Sequence, residues 1–302
     1  MNKKVLITGG SGLIGSRLTQ HLLQEGYNVH WLSRNPKDNL AAKQHYWNPL
    51  ENKIDNTALE GAEIVVNLAG AGIADKLWTP ARKQLLLTSR VQSIQLLNAT
   101  FQQMDYCPKK FISASAVGFY GNRPGVCLDE SAPKGSGFLS DLTTKWEQAT
   151  DLFANKNIEI TKLRIGIVLS NKGGSLPLFE RISALPIVML PGGNQIVPWI
   201  HIDDMTAVIL EAIQKDTIKG NVNCVSPNPV SLKSLLKEIA KTKGKRRMVI
   251  GAPSFPIKLI TGDMSEIVLN SQRVVPKKLI DIGFHWKYPE IGKALNQLLF
   301  NC

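Results

Sequence analysis

Short apolar runs alternate with amphipathic stretches along most of this chain. The first run, Val5-Leu6-Ile7, gives way at Thr8 to a glycine-rich segment and then to a helical pattern. That pattern carries Leu18, Leu22 and Leu23 on one face and stops at Gly26. A continuous apolar run bounded by turn residues predicts a strand buried on both faces, and apolar residues three and four apart predict a helix lying on it. Glycine suits the helix's C-terminal cap. The alternation continues: strands are expected at Asn28–Leu32, Glu63–Gly70, Lys110–Ser115 and Ile160–Leu169. Between them, helices are expected from Thr79-Pro80, an N-cap and first-turn proline, to about Phe101, and from Ser140 to Leu152. Residues 35–60 read as polar and turn-rich. Strands and helices at this spacing predict an α/β fold, a Rossmann-type doubly wound parallel sheet.

The pattern loosens beyond residue 165. Lys172-Gly173-Gly174 opens a turn, and Val197 to Asp204 reads as an ordered loop and short strand leading into a helix. Asn221–Val225 is strand-like, and Ser231 caps a helix to about Lys243. The last fifty residues add Arg247-Met248-Val249-Ile250, a helix marked by Pro256 and a final helix after Pro289. The expected organisation is a nucleotide-binding domain over residues 1–165, to which part of 200–225 returns, and a smaller C-terminal substrate lobe over 166–302.

Composition narrows the classes. With 302 residues, 43% hydrophobic and 20% charged, the chain has the make-up of an ordinary globular protein. No run of uninterrupted apolar residues reaches membrane-spanning length, and the first strand begins too near Met1 for a signal peptide, so a cytoplasmic protein without a membrane partner is expected. The four cysteines, Cys107, Cys127, Cys224 and Cys302, have no metal-ligand spacing and read as reduced thiols. A net charge of +12 raises the question of nucleic acid. The basic residues are dispersed, and the dense run Lys241 to Arg247 reads as a helix C-terminus, where the helix dipole favours cations. A small anionic cofactor fits the charge better.

That cofactor has a site at Thr8-Gly9-Gly10-Ser11-Gly12-Leu13-Ile14-Gly15. Glycines after a strand and before a helix allow a tight turn, close approach of backbone to a pyrophosphate and close helix packing, while the helix start offers free N–H groups. Gly9, Gly12, Leu13, Ile14 and Gly15 are therefore candidate contacts. Enzymes selecting NAD place an acid after the second strand to bond the ribose hydroxyls; here Ser33-Arg34 stands there. An arginine fork suits a 2′-phosphate, which points to NADP. In an open parallel sheet, ligands sit beyond the carboxyl ends of the strands, which adds Leu68, Ala69 and Gly70.

Taken together, Thr8-Gly9-x-x-Gly12-x-x-Gly15, Asn67-Leu68-Ala69-Gly70 and Tyr120-Gly121 after the serine-bearing strand resemble the short-chain dehydrogenase/reductase superfamily in its extended, epimerase-like branch. More narrowly, Ser33-Arg34, Trp78, Ser89-Arg90-Val91, Trp146-Glu147, Pro198 to His201 and Gln272 to Lys277 resemble the atypical "epimerase family" proteins of unknown substrate with a dedicated C-terminal domain. The resemblance implies NADP(H) contacts at Ser33, Arg34, Leu68, Ala69 and Arg90. Arg90 rests on the resemblance alone.

The superfamily's Tyr-x-x-x-Lys pair, in which lysine tunes a proton-shuttling phenol, is missing. Of the five tyrosines only Tyr106 has a lysine four positions on, Lys110, and Pro108 between them argues against a helix. On the expected helix, counting back from Glu147 puts Leu139 and Thr143 at the two positions. Ser115, Tyr120 and Lys145 are the candidates to replace the pair, each with a bland alternative as packing residue, loop support or solvated charge. His201 and Asp75 are further pocket candidates. Two readings follow. One is an NADP(H)-dependent oxidoreductase or epimerase-like enzyme transferring hydride on a small polar substrate, as monomer or homodimer. The other is a non-catalytic NADP(H)-binding sensor or regulatory protein.

Overall fold

The structure, a computed structural model, describes residues 3–300 apart from 39–41, 105, 246–247, 254, 256–258 and 260. Arg247, Cys302 and the start of the helix expected at Pro256 lie outside the described residues. The chain divides into two compact units. The first comprises 1–115, 142–163 and 206–222; the second comprises 116–141, 164–205 and 223–302. The two units hold nearly equal numbers of residues, and residues 116–141 group with the second.

The first unit is built on β1 (Lys4–Thr8), α1 (Leu13–Gln24), β2 (Asn28–Ser33), β3 (Lys43–Asn48), β4 (Lys53–Ile54), β5 (Ala62–Asn67), α2 (Pro80–Gln103) and β6 (Lys110–Ala116). α3 (Phe138–Thr150) lies mostly in it. The sheet has eight strands in the order Gly220–Cys224, Glu159–Ile165, β6, β5, β1, β2, β3, β4. Pairing is parallel from β6 through β5, β1 and β2 to β3, and antiparallel between β3 and the short edge strand β4. This is a mixed α/β, Rossmann-like fold.

Burial explains the continuous apolar runs. Leu6, Ile7, Val65, Val66, Phe111 and Ile112 have no exposed surface, as strands covered on both faces require. Each such side chain contributes about 1.5–3 kcal/mol on burial. Phe153 closes the core against Phe111, with ring centroids 4.0 Å apart, and meets Phe101 edge-on at 6.4 Å. α1 ends as its sequence requires: Gly26 takes φ +79°, and the N–H groups of Gly26 and Tyr27 return to the Leu23 and Leu22 carbonyls. Thr79 caps α2 by accepting the Arg82 N–H at 3.2 Å.

β3 is an element the sequence pattern concealed. It runs through residues read as turns, and its inward positions are His45 and Trp47. His45 is tolerated there because the Asp55 carboxylate bonds its Nδ1 at 3.0 Å and His30 Nδ1 meets its Nε2 at 2.9 Å.

The second unit holds small sheets. Arg123–Leu128 pairs in parallel with Gln272–Val274. Ile187–Pro191 pairs with Met248–Ala252, and Trp199–His201 with Ile167–Ser170. The helix Leu232–Thr242, capped by Ser231, packs against Leu176–Ser183 and Ile291–Phe300. Val117, Tyr120, Leu128, Val225 and Val274 form one of its buried clusters.

Candidate cofactor site

Strand register brings the candidate residues of the first unit to one edge. Thr8 is level with Leu32 on β2 and with Asn67 on β5, and Asn67 is level with Ser113 on β6. The segments that follow, Gly9–Gly15, Ser33-Arg34 and Leu68–Gly70, therefore leave the sheet side by side. Thr8 fixes this edge from below, a role the sequence did not announce. Its hydroxyl donates to Asn67 Oδ1 at 2.7 Å and accepts the N–H groups of Leu68 and Ala69, each at 3.1 Å.

The glycines divide by function. Gly9 has φ +70°, and a Cβ there would stand 3.0 Å from the Leu68 carbonyl group. A Cβ on Gly15 would come within 2.3 Å of the Gly9 oxygen, and one on Gly10 within 2.4 Å of the Trp31 ring. These three are required by the chain's own packing. Gly12 is different: a Cβ there meets only the Gly9 oxygen, at 3.2 Å. Gly12 is also the N-cap of α1, where no side chain caps the helix and no acid sits in the first turn. The first N–H groups of a helix lack partners within it, so Leu13, Ile14 and Gly15 offer donors at this helix start.

At the end of β2, Ser33 Oγ accepts the Asn35 N–H at 3.2 Å and Arg34 is exposed. Among the described residues no carboxylate pairs with Arg34. Arg90 behaves otherwise. It is only 9% exposed, yet no carboxylate pairs with it among the described residues. Its Nη1 donates to the Leu86 carbonyl at 2.9 Å and its Nη2 to the Ala71 carbonyl at 3.0 Å, while Nε has no partner. The guanidinium lies over the Trp146 ring, 4.9 Å from its centroid. Burial, with the charge of Arg82 nearby, lowers its pKa to about 10. Gly70 makes room for it, since a Cβ there would stand 3.2 Å from the guanidinium carbon. A buried cation without a counter-ion and an uncapped helix start are the features a phosphate-bearing cofactor would satisfy. The residues fit such a group.

Ser115, at the end of β6, is buried and donates to Glu147 Oε1 at 2.6 Å; Glu147 is buried on α3. Lys145, two residues before Glu147, is exposed and does not share its helix face, so it does not join them. Tyr106 and Lys110 form no catalytic pair: the Lys110 ammonium binds the Ala212 and Lys215 carbonyls at a helix end.

Tyr120 belongs to the second unit, where it is wholly buried. Its hydroxyl bonds the Asp129 carbonyl at 3.0 Å and Asn223 Oδ1 at 2.7 Å, and accepts from Arg164 at 3.0 Å. Burial raises its pKa against the opposing pull of Arg164. These partners make it a bracing group for residues 120–129. His201, also buried there, accepts the Asp203 N–H at Nδ1 and bonds Gln297 through Nε2. It fixes the turn into the following helix.

Residues 5–224 match the NAD dependent epimerase/dehydratase family, and residues 252–298 match a domain of unknown function, DUF1731. An "Epimerase family protein" of Staphylococcus aureus (strain NCTC 8325 / PS 47) is 32% identical, covering 98% of this chain and 99% of that one. The chloroplastic "Epimerase family protein SDR39U1 homolog" of Arabidopsis thaliana is 31% identical, covering 98% of this chain and 86% of that one. Among solved structures, human epimerase family protein SDR39U1 (isoform 2) with NADPH superposes with a TM-score of 0.86 at 28% identity, covering 99% and 100% of the two chains. A nucleoside-diphosphate sugar epimerase from Corynebacterium glutamicum superposes with a TM-score of 0.80 at 32% identity, covering 99% of this chain and 58% of the other. The chain belongs to the NAD dependent epimerase/dehydratase family, among its atypical epimerase family proteins.

Proposed function

We propose that this protein binds NADP(H) along the first unit's sheet edge and transfers hydride to or from a carbon bearing oxygen on a small polar substrate. The N–H groups of Leu13, Ile14 and Gly15 would hold the pyrophosphate above Gly12. Ser33 and Arg34 would take the 2′-phosphate, Leu68, Ala69 and Gly70 would lie against the nucleotide, and Arg90 would supply buried positive charge. The observation that carries the reading is the pairing of an uncapped, acid-free helix start with an arginine, in place of an acid, at the end of the neighbouring strand. The NADPH of the human relative supports it.

The bound nicotinamide supplies a hydride acceptor or donor. The chain's own part is the proton. With Tyr-x-x-x-Lys absent, Ser115 Oγ would take the proton of the substrate hydroxyl as its own passes to Glu147 Oε1, and the reverse on reduction. Epimerisation would use the same two groups twice at one centre. The name of the Corynebacterium relative favours a sugar nucleotide as substrate class.

The second reading, a cofactor-binding sensor without chemistry, is favoured by Leu139 and Thr143 standing where the phenol and amine belong. A screen of carbonyl compounds and nucleotide sugars for NADPH consumption, with product analysis for epimers, separates the two. Turnover is the expected result. Tight NADPH binding with no turnover on any substrate would establish the sensor instead.

A further inference from the structure

Among the described residues, six buried side-chain atoms lack a hydrogen-bond partner, and three of them are N–H donors: Arg82 Nε, Arg90 Nε and Trp146 Nε1. All three lie in the first unit, and they are connected. Arg90 stacks on Trp146, and Arg82 is near enough for its charge to act on Arg90. Both arginines grip one loop, Gly70-Ala71-Gly72. Arg90 Nη2 bonds the Ala71 carbonyl, Arg82 Nη2 bonds the Gly72 carbonyl, and Ser89 Oγ accepts the Ala71 N–H. Both cations keep an unfilled donor beside a glycine loop, and no carboxylate pairs with Arg90 among the described residues. Buried donors without acceptors are uncommon in folded proteins and call for an explanation.

The acid paired with Arg82 is poorly committed. Asp75 Oδ2 stands 3.6 Å from Arg82 Nη2, too far for a good hydrogen bond, and the Asp75 side chain is 68% exposed while that of Arg82 is 11% exposed. Asp75 lies against Gly72: a Cβ there would come within 2.3 Å of its carboxylate. Asp75 thus sits where a carboxylate or phosphate oxygen approaching Arg82 would sit.

The geometry points to Arg82 and Arg90 as a two-guanidinium receptor for a phosphate group, with Asp75 as an internal stand-in that the incoming phosphate displaces. This rests on the reading of the sheet edge as a nucleotide site, and it adds Arg82, Asp75 and the Trp146 N–H, which that reading does not use. Two arginine forks suit a phosphate because its several oxygens accept from both. Asp75 acts in opposition: it neutralises Arg82 until the ligand arrives, so it lowers affinity.

The test is calorimetric titration of the full-length protein with inorganic pyrophosphate and, separately, with NADPH and a nucleoside diphosphate. The variants are Arg82→Ala, Arg82→Lys, Asp75→Asn and Trp146→Phe, each checked for folding by circular dichroism. Removing one charge-assisted fork predicts pyrophosphate binding weakened by about tenfold in Arg82→Ala, partly recovered in Arg82→Lys. Removing an exposed competing carboxylate predicts binding about threefold tighter in Asp75→Asn. An indole perturbation on pyrophosphate addition that Trp146→Phe abolishes would support the receptor. Opposite signs for Arg82 and Asp75 are not what a merely structural ion pair would give, since breaking it from either side would act alike. Pyrophosphate affinity unchanged within twofold by both substitutions, in folded protein, would overturn the inference. NADPH weakened by Arg82→Ala assigns the phosphate to the cofactor; a nucleoside diphosphate weakened with NADPH unchanged assigns it to the substrate. If wild-type protein ignores NADPH while pyrophosphate responds as stated, the cofactor reading fails and this one stands.

Discussion

At the residue scale, Ser115 and Glu147 carry the chemistry proposed. A hydroxyl bonded at 2.6 Å to a buried carboxylate is placed to pass a proton, which neither group does alone. Ser115→Ala and Glu147→Gln are each expected to lower kcat by about a hundredfold or more, the usual worth of a positioned acid–base group, with NADPH affinity nearly unchanged. Stopped-flow and steady-state rates on whichever substrate the screen yields check this. A fall in cofactor affinity with kcat intact would remove both residues from the proton path. Ser115 was legible in the sequence because it ends a strand at the ligand edge. Its partnership with Glu147 was not, because a strand end and a helix face thirty-two positions apart meet only through tertiary packing. The burial of Arg90 was not legible, since nothing in its spacing distinguishes a buried cation from a solvated one.

His30 gives the residue scale a pH dependence. Burial first, then the charges of Lys4, His45 and Lys43, lower its pKa from 6.5 to about 4. The folded protein therefore holds His30 neutral where the unfolded chain protonates it. Stability is fully present above pH 6.5 and declines as pH falls from 6.5 to about 4, because only the unfolded state takes up the proton across that window. Denaturant titrations at successive pH values check the sign, and His30→Gln should flatten the slope between those limits.

At the element scale, the β1–α1 turn separates what folding needs from what binding needs. Gly15→Ala places a methyl within 2.3 Å of backbone and is expected to cost about 1–3 kcal/mol, read by chemical denaturation. Gly12→Ala meets only the Gly9 oxygen, at 3.2 Å, so a small shift accommodates it. It is expected to cost under about 1 kcal/mol yet to weaken NADPH by about tenfold or more, because backbone can no longer approach the pyrophosphate. Equal stability losses in the two variants would contradict this division. The strands of the parallel sheet were legible because burial on both faces writes unbroken apolar runs. β3 was hidden because one of its inward positions is His45, polar in composition but satisfied by His30 and Asp55. The strand Arg123–Leu128 was hidden because four of its residues, 124–127, are exposed, which erases any apolar signal.

At the scale of the whole molecule, the N-terminal fingerprint and its sheet lie within the stretch that matches the NAD dependent epimerase/dehydratase family. Residues 206–222 group with the first unit and 116–141 with the second; the grouping of 116–141 is a matter of which segments share a core, of which local patterns carry no record. Among the described residues no helix is long and apolar enough to cross a membrane. Cofactor binding should stabilise the folded chain by mass action, by about 2.7 kcal/mol at a hundred times the dissociation constant, and NADPH should do so at lower concentration than NADH. The central claim is that Arg34 makes this a site for the 2′-phosphate. Titration of the wild-type protein and Arg34→Ala with NADPH and NADH, followed by nicotinamide fluorescence, tests it most directly. The account predicts NADPH bound at least about tenfold more tightly by the wild type and the two cofactors bound about equally by the variant. Equal affinity or a preference for NADH in the wild type, or an NADPH affinity indifferent to Arg34→Ala, would contradict it.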